Sequence, residues 1–185
     1  MPRSTSDATV FGSGPAAEQR LFVEVDADET CPFDFSDDPG VVLFFISWAY
    51  SVRFGGTHEL ARAATQLESG HAIDLKPLRR YADRVVRDEA DRQELERAWQ
   101  PAAPLATSCR AVADALGSDD DRLRELTADY TQLAPRLHEL AAICDWATER
   151  EARVRLSFDL GHVEPRAARP APPEHSPPTG PPGRP

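Results

Sequence analysis

The sequence predicts a mainly α fold: a compact bundle of about five to six helices, with a small two-stranded β element formed by the segments flanking the helical region. Three observations carry this expectation. Apolar residues recur at three- and four-residue spacing through most of residues 40–147. Two short stretches with a period of two, at Leu21–Val25 and Val154–Leu160, bracket that region. Most of the 17 prolines sit toward the two ends of the chain, away from the periodic middle.

At 185 residues the chain holds one ordinary domain with soft ends. Residues 1–19 are rich in Ser, Thr, Ala, Gly and Pro and read as a disordered arm; 20–160 read as a single mostly helical domain, with an acidic loop at 26–38; 161–185 read as a disordered proline-rich tail.

In order along the domain, Leu21, Val23 and Val25 give the first strand. Asp37, Asp38 and Pro39 then mark the start of a helix that runs to about Val52. This segment is apolar nearly all round, which suits a central helix surrounded by others or a buried strand, and its length from Gly40 to Val52 favours the helix. Its apolar run, Val41 to Tyr50, is about half of what a bilayer span requires, so no membrane segment is expected. Phe54, Gly55 and Gly56 break the pattern, and Thr57 caps a helix carrying Leu60, Ala61, Ala64 and Leu67.

Asp74 is the expected cap of a third helix with the stripe Leu78, Tyr81, Ala82, Val85 and Val86. It continues through a polar middle to Trp99 or breaks near Asp88. Leu105, Cys109, Val112 and Leu116 specify a helix closed by Gly117. Ser118 with Asp121 resembles a capping box that opens a stripe from Leu123 to Ala147, interrupted near Thr131–Pro135 by the proline. Val154, Leu156, Phe158 and Leu160 alternate with Arg153, Arg155, Ser157 and Asp159. This second strand needs a partner, and Leu21–Val25 is the best one available, with Glu24 and Asp26 set near Arg153 and Arg155.

Charge excludes some functions. The net charge is -10 at pH 7, and residues 1–40 alone carry nine acids against two arginines, so nucleic acid is disfavoured as a primary partner. Lys76 is the sole lysine among 21 basic residues, a sign of a GC-rich, bacterial-type genome rather than of chemistry. The three cysteines Cys31, Cys109 and Cys144 form no CxxC and fit reduced thiols, so a cytoplasmic location is expected; the polar N-terminus carries no apolar signal segment.

No catalytic signature stands out: GSGP at Gly12–Pro15 lacks the context of a phosphate loop, and GxSxG, SxxK and HExxH are missing from the sequence. The primary reading is therefore a non-enzymatic interaction or regulatory subunit, with another protein as partner and no cofactor. Its expected anchors are Phe33 and Phe35, set among the acids of DADETCPFDFSDDPG, and Trp99 at a helix end. The first alternative is a small metal-dependent enzyme with a site assembled between helices from His58, Asp74 and His138. The second is an accessory subunit of a nucleoprotein assembly, in which the arginines between residues 79 and 87 graze a backbone.

Overall fold

The computed structural model describes residues 21–55 and 57–159, together with the backbone of 9–11. The rest of the arm, Gly56, and the tail with its predicted polyproline and coil character lie outside the described residues.

Two strands open the chain, β1 (Thr9–Phe11) and β2 (Leu21–Val25). Helix α1 (Gly40–Ser51) leads into a 3-10 turn (Val52–Phe54), and α2 (Glu59–Gly70) follows. Then come β3 (Tyr81–Asp83), α3 (Glu89–Arg97) and β4 (Gln100–Pro101). The last four elements are α4 (Ala102–Leu116), α5 (Asp121–Leu126), α6 (Leu133–Glu149) and β5 (Arg153–Phe158).

The fold is thus predominantly helical, but its β part is larger than the two-stranded closure expected. β2 and β5 do pair antiparallel, with Glu24 opposite Arg155 and Val25 opposite Val154. β1 adds to the outer edge of β2, within the segment expected to be a disordered arm. The other edge of β5 is shared: β4 runs antiparallel to Arg153 and Val154, and β3 runs parallel to Leu156–Phe158. A strand with a bare row of N–H and C=O groups is costly to bury, and these two short segments supply the missing partners.

That demand corrects the third helix. The stretch from Asp74 to Val86 is a turn followed by β3, and only α3, capped by the Asp88 carboxylate accepting from Asp91 N–H at 2.9 Å, is helical. Pro77 and the turn in which the Asp74 carboxylate accepts from Lys76 N–H (3.0 Å) interrupt any helix there. Of the expected stripe, Leu78 and Ala82 are buried, Tyr81 and Val85 are half-buried, and Val86 is 40% exposed.

Two caps also move by one or two residues. His58, not Thr57, caps α2 by accepting from Leu60 N–H (3.2 Å), and Asp120, not Ser118, caps α5 by accepting from Leu123 N–H (2.9 Å). The interruption near Pro135 is a helix junction, with Pro135 in the first turn of α6, where its missing N–H costs no bond. Glu151 adopts φ 55, and Ala152 N–H returns to the Ala147 carbonyl at 2.9 Å, which turns the chain from α6 into β5.

One continuous core joins helices and sheet. α4 and α6 make the most extensive helix contact, through stripes that include Leu105, Cys109 and Val112 on one side and Leu137, Leu140 and Cys144 on the other. α1 contributes Val42, Phe45, Ile46 and Ala49, all with no exposed surface. β2 and β5 seal the core with Leu21, Val23, Val154 and Leu156. Among the described residues no helix is long and apolar enough to cross a membrane.

The second face of the sheet is buried as well. Glu24, Arg155 and Ser157 are 5%, 9% and 0% exposed, because α3 and Trp99 cover them. The Glu24 carboxylate accepts from Arg155 Nε at 2.8 Å and from a terminal guanidinium nitrogen at 3.1 Å, and the Ser157 hydroxyl donates to it at 3.2 Å. Arg153 pairs with Asp26 at 2.7 Å on the exposed margin, which completes the charge match expected from the two sequences.

Candidate functional site

The residues singled out as metal ligands do not come together. His58 caps α2 and lies flat against Trp48, Asp74 is exposed in its turn, and His138 is exposed on α6. Among the described residues no three His, Cys, Asp or Glu side chains are grouped as a metal ion would require.

The expected partner anchors are also dispersed. Phe33 is 47% exposed, Phe35 packs against the core, and the Trp99 ring is half-buried beneath the guanidinium of Arg155, 4.5 Å from its centre, with Arg153 at 5.4 Å. Trp99 therefore covers the buried ion pair rather than standing free as an anchor.

A different constellation is built on α1. Its sequence is apolar on every side, and the core can take only one side of it. The outward side carries Phe44 and Tyr50, 43% and 40% exposed, and the 3-10 turn adds Phe54 at 78%. Gly55, in the left-handed conformation (φ 76), ends that turn with its N–H bonded to the Val52 carbonyl at 3.2 Å. Between the rings lie Ser47 and Ser51, whose hydroxyls donate back to the carbonyls of Leu43 (2.8 Å) and Trp48 (2.7 Å). The strip between the aromatics is therefore polar, with its hydroxyl donors turned back onto the helix.

On the N-terminal half of this face, Trp48 stacks on His58 with ring centres 4.1 Å apart and planes at 5°, and Phe44 stands edge-on to both. Tyr130, from the α5–α6 connection, lies 6.1 Å from Phe44. Its hydroxyl donates to Glu59 at 2.7 Å, and that bond, with burial and the nearby carboxylate charge acting in the same direction, pushes its phenol up to about 12. Tyr130 is also one wall of a cleft of about 330 Å³ lined by Leu116, Arg124, Thr127 and Ala134.

On the C-terminal half four rings follow one another, Phe54 and Tyr50 exposed, Tyr81 and Phe158 half-buried against the core. Phe54 lies 6.0 Å from Tyr50, Tyr50 6.3 Å from Tyr81 on β3, and Tyr81 5.5 Å from Phe158 at the end of β5. Arg53 leans over Tyr50 at 5.4 Å. Burial raises the Tyr81 phenol above its ordinary value, with a hydrogen bond to Ser47 acting the other way.

The sequence reading missed this face because its rings come from α1, the 3-10 turn, β3, β5 and a loop. The one available signal was that α1 carries more apolar surface than a one-sided core contact can use. Single exposed apolar side chains are ordinary, whereas two groups of rings along one helix and the turn after it are not.

A second polar cluster ties α2 to α5: Asp120 accepts from Leu123 N–H, from Gln66 at 3.0 Å, and pairs with His71 at 2.9 Å. The bond from Leu123 N–H, followed by those from Gln66 and His71, holds the Asp120 carboxyl well below the usual carboxylate range. Leu123 N–H is capped by Asp120, and Gln66 and His71 tie it to α2, so the cluster joins the two helices. No family model, curated protein or solved structure matches this chain.

Proposed function

We propose that this chain is a non-catalytic binding module, in which the helical core holds the aromatic face of α1 out to a protein partner. The observation that carries the reading is the exposed aromatic surface on α1 and the turn after it: Phe44 stands edge-on to Trp48, Tyr50 lies 6.0 Å from Phe54, and Phe44, Tyr50 and Phe54 are 43%, 40% and 78% exposed. Aromatic side chains are favoured as interface anchors because they bury a large area at little conformational cost. The cleft beside Tyr130 gives the N-terminal half of the face a recess for a partner side chain.

The test places a photoreactive side chain at Phe44 of the full-length protein in its own host, with the exposed Arg92 on α3 as the control position. The reading expects one discrete protein adduct from position 44 that is missing from position 92, and that Tyr130→Ala weakens. Identical adduct patterns from the two positions would overturn it. Because Tyr130 also packs against the core and bonds Glu59, the urea midpoint of Tyr130→Ala is measured beside the adduct, and a lost adduct in a variant folded under the labelling conditions reports on the face.

A further inference from the structure

We infer that the C-terminal half of the aromatic face, the row Phe54, Tyr50, Tyr81 and Phe158, is the docking site for this chain's own proline-rich tail. The inference rests on reading the face as a docking surface, and it assigns half of that surface to an occupant.

Three features support the assignment. The first is chemical: proline-rich segments bind aromatic rows because a polyproline II strand is already ordered and its flat rings lie well on aromatic faces. The last 21 residues of the chain, Pro165–Pro185, contain nine prolines, including the pairs Pro172–Pro173, Pro177–Pro178 and Pro181–Pro182.

The second is geometric. Ring-to-ring steps of 6.0, 6.3 and 5.5 Å bound the set end to end at no more than roughly six residues of polyproline II at about 3.1 Å per residue. A segment such as Pro173–Pro178 has that length.

The third is connectivity. β5 ends at Phe158, which is itself a member of the row, so the tail leaves the fold at the site it would occupy. Fourteen residues, 159–172, separate the end of β5 from that segment, which at about 3.3–3.6 Å per residue is more than enough chain to reach any of the four rings. A short tether of this kind gives an effective concentration on the order of millimolar, enough to fill a weak site within one molecule. Charge acts in the same direction, because the tail has three arginines against two acids and the rest of the chain is acidic.

Bound there, the tail would leave the Phe44 half of the face open and cover the Tyr50 half. A protein partner that needs both halves would then have to displace it, at a cost equal to the tail's own binding free energy.

The experiment uses the full-length chain with Phe54→p-benzoylphenylalanine, an uncrowded position, and maps photo-cross-links by mass spectrometry in an equal mixture of isotopically heavy and light protein. The inference expects cross-links from position 54 to residues 165–185 that are purely heavy–heavy or light–light. Their yield should be unchanged over a roughly hundredfold range of protein concentration, as an intramolecular reaction requires. Changing Pro172, Pro173, Pro177 and Pro178 to Ser should lower that yield roughly tenfold without changing the far-ultraviolet spectrum, since the tail is then no longer pre-ordered.

Mixed heavy–light cross-links as the main product would overturn the assignment in favour of a second copy's tail. A yield no greater than that from the same probe at Arg92 would overturn it altogether. Adducts with a host protein from position 44 in that last case would leave the binding-module reading standing, and loss of both signals would remove both.

Discussion

Removing Glu24 or Arg155 singly should cost far more than removing both. The two lie opposite each other on β2 and β5, 5% and 9% exposed, joined by two hydrogen bonds of 2.8 and 3.1 Å. In Glu24→Leu, the Arg155 guanidinium keeps only the exposed Glu96 carboxylate at 3.3 Å, the Leu95 carbonyl at 3.5 Å and the Trp99 ring, and Ser157 loses its acceptor. A cost of about 3 kcal/mol is expected, the lower end of the range for breaking a buried pair, because Glu96 still partly compensates the charge. In Arg155→Met, Glu24 retains only the Ser157 hydroxyl, so about 4 kcal/mol is expected. The double variant places two apolar chains of similar length under Trp99 and should lie within about 1 kcal/mol of the parent, since neither charge is left stranded. Urea unfolding followed by circular dichroism, with an unchanged dependence on denaturant, measures each term. If the double variant loses the sum of the two single losses to within about 0.5 kcal/mol, the pair is not coupled and the reasoning fails.

Tyr130 should titrate at about 12 in the folded protein by its phenolate absorbance, and Glu59→Gln should bring it back toward 10.0. The folded state then holds the phenol proton to higher pH than the unfolded chain does. Its contribution to stability is complete below the ordinary tyrosine value and is lost as pH rises toward about 12. A normal titration in the parent protein would remove the Glu59 bond from the account. The thiols Cys31, Cys109 and Cys144 are all buried, at 4%, 0% and 0% exposure, and burial pushes each of them up. All three should resist an aromatic disulfide reagent at mildly alkaline pH and react together in denaturant, and reaction of any one in the folded state within the mixing time would contradict the packing.

What could be read from the sequence was whatever a single element determines by itself. The stripe Leu105, Cys109, Val112, Leu116 returned as α4, and the alternation from Arg153 to Phe158 returned as β5, because each pattern repeats at the period of its own geometry. The pairing of β2 with β5 was also legible, since only two segments had unmet backbone groups and their charges matched. β3 was not legible. Tyr81–Asp83 carries no alternation long enough to declare a strand, and it is extended only because the free edge of β5 lies beside it. The metal candidates His58, Asp74 and His138 failed for a related reason: adjacency of residue types does not state where side chains meet, and His58 had a nearer use as the cap of α2. Phe35 and Trp99 likewise found partners inside the fold that no local pattern names.

The register of β5 links the buried pair to the aromatic face. Glu24 opposite Arg155 fixes Leu21 opposite Phe158, and Leu156 opposite Tyr81 sets the two rings 5.5 Å apart beside α1. A slip of one residue would invert every side chain of β5, moving Phe158 away from Tyr81 and placing Arg155 in the apolar core. The hydrophobic alternation alone resists that slip on the core side. On the other side the resistance comes from the ion pair, which has a single satisfied register. The pair is therefore positioned to specify the aromatic face as much as to stabilise the fold. In Arg155→Met and Glu24→Leu the aromatic row should loosen along with the sheet, whereas the double variant, with its stability restored but its charge code gone, should recover stability more fully than it recovers the arrangement of Phe158 against Tyr81.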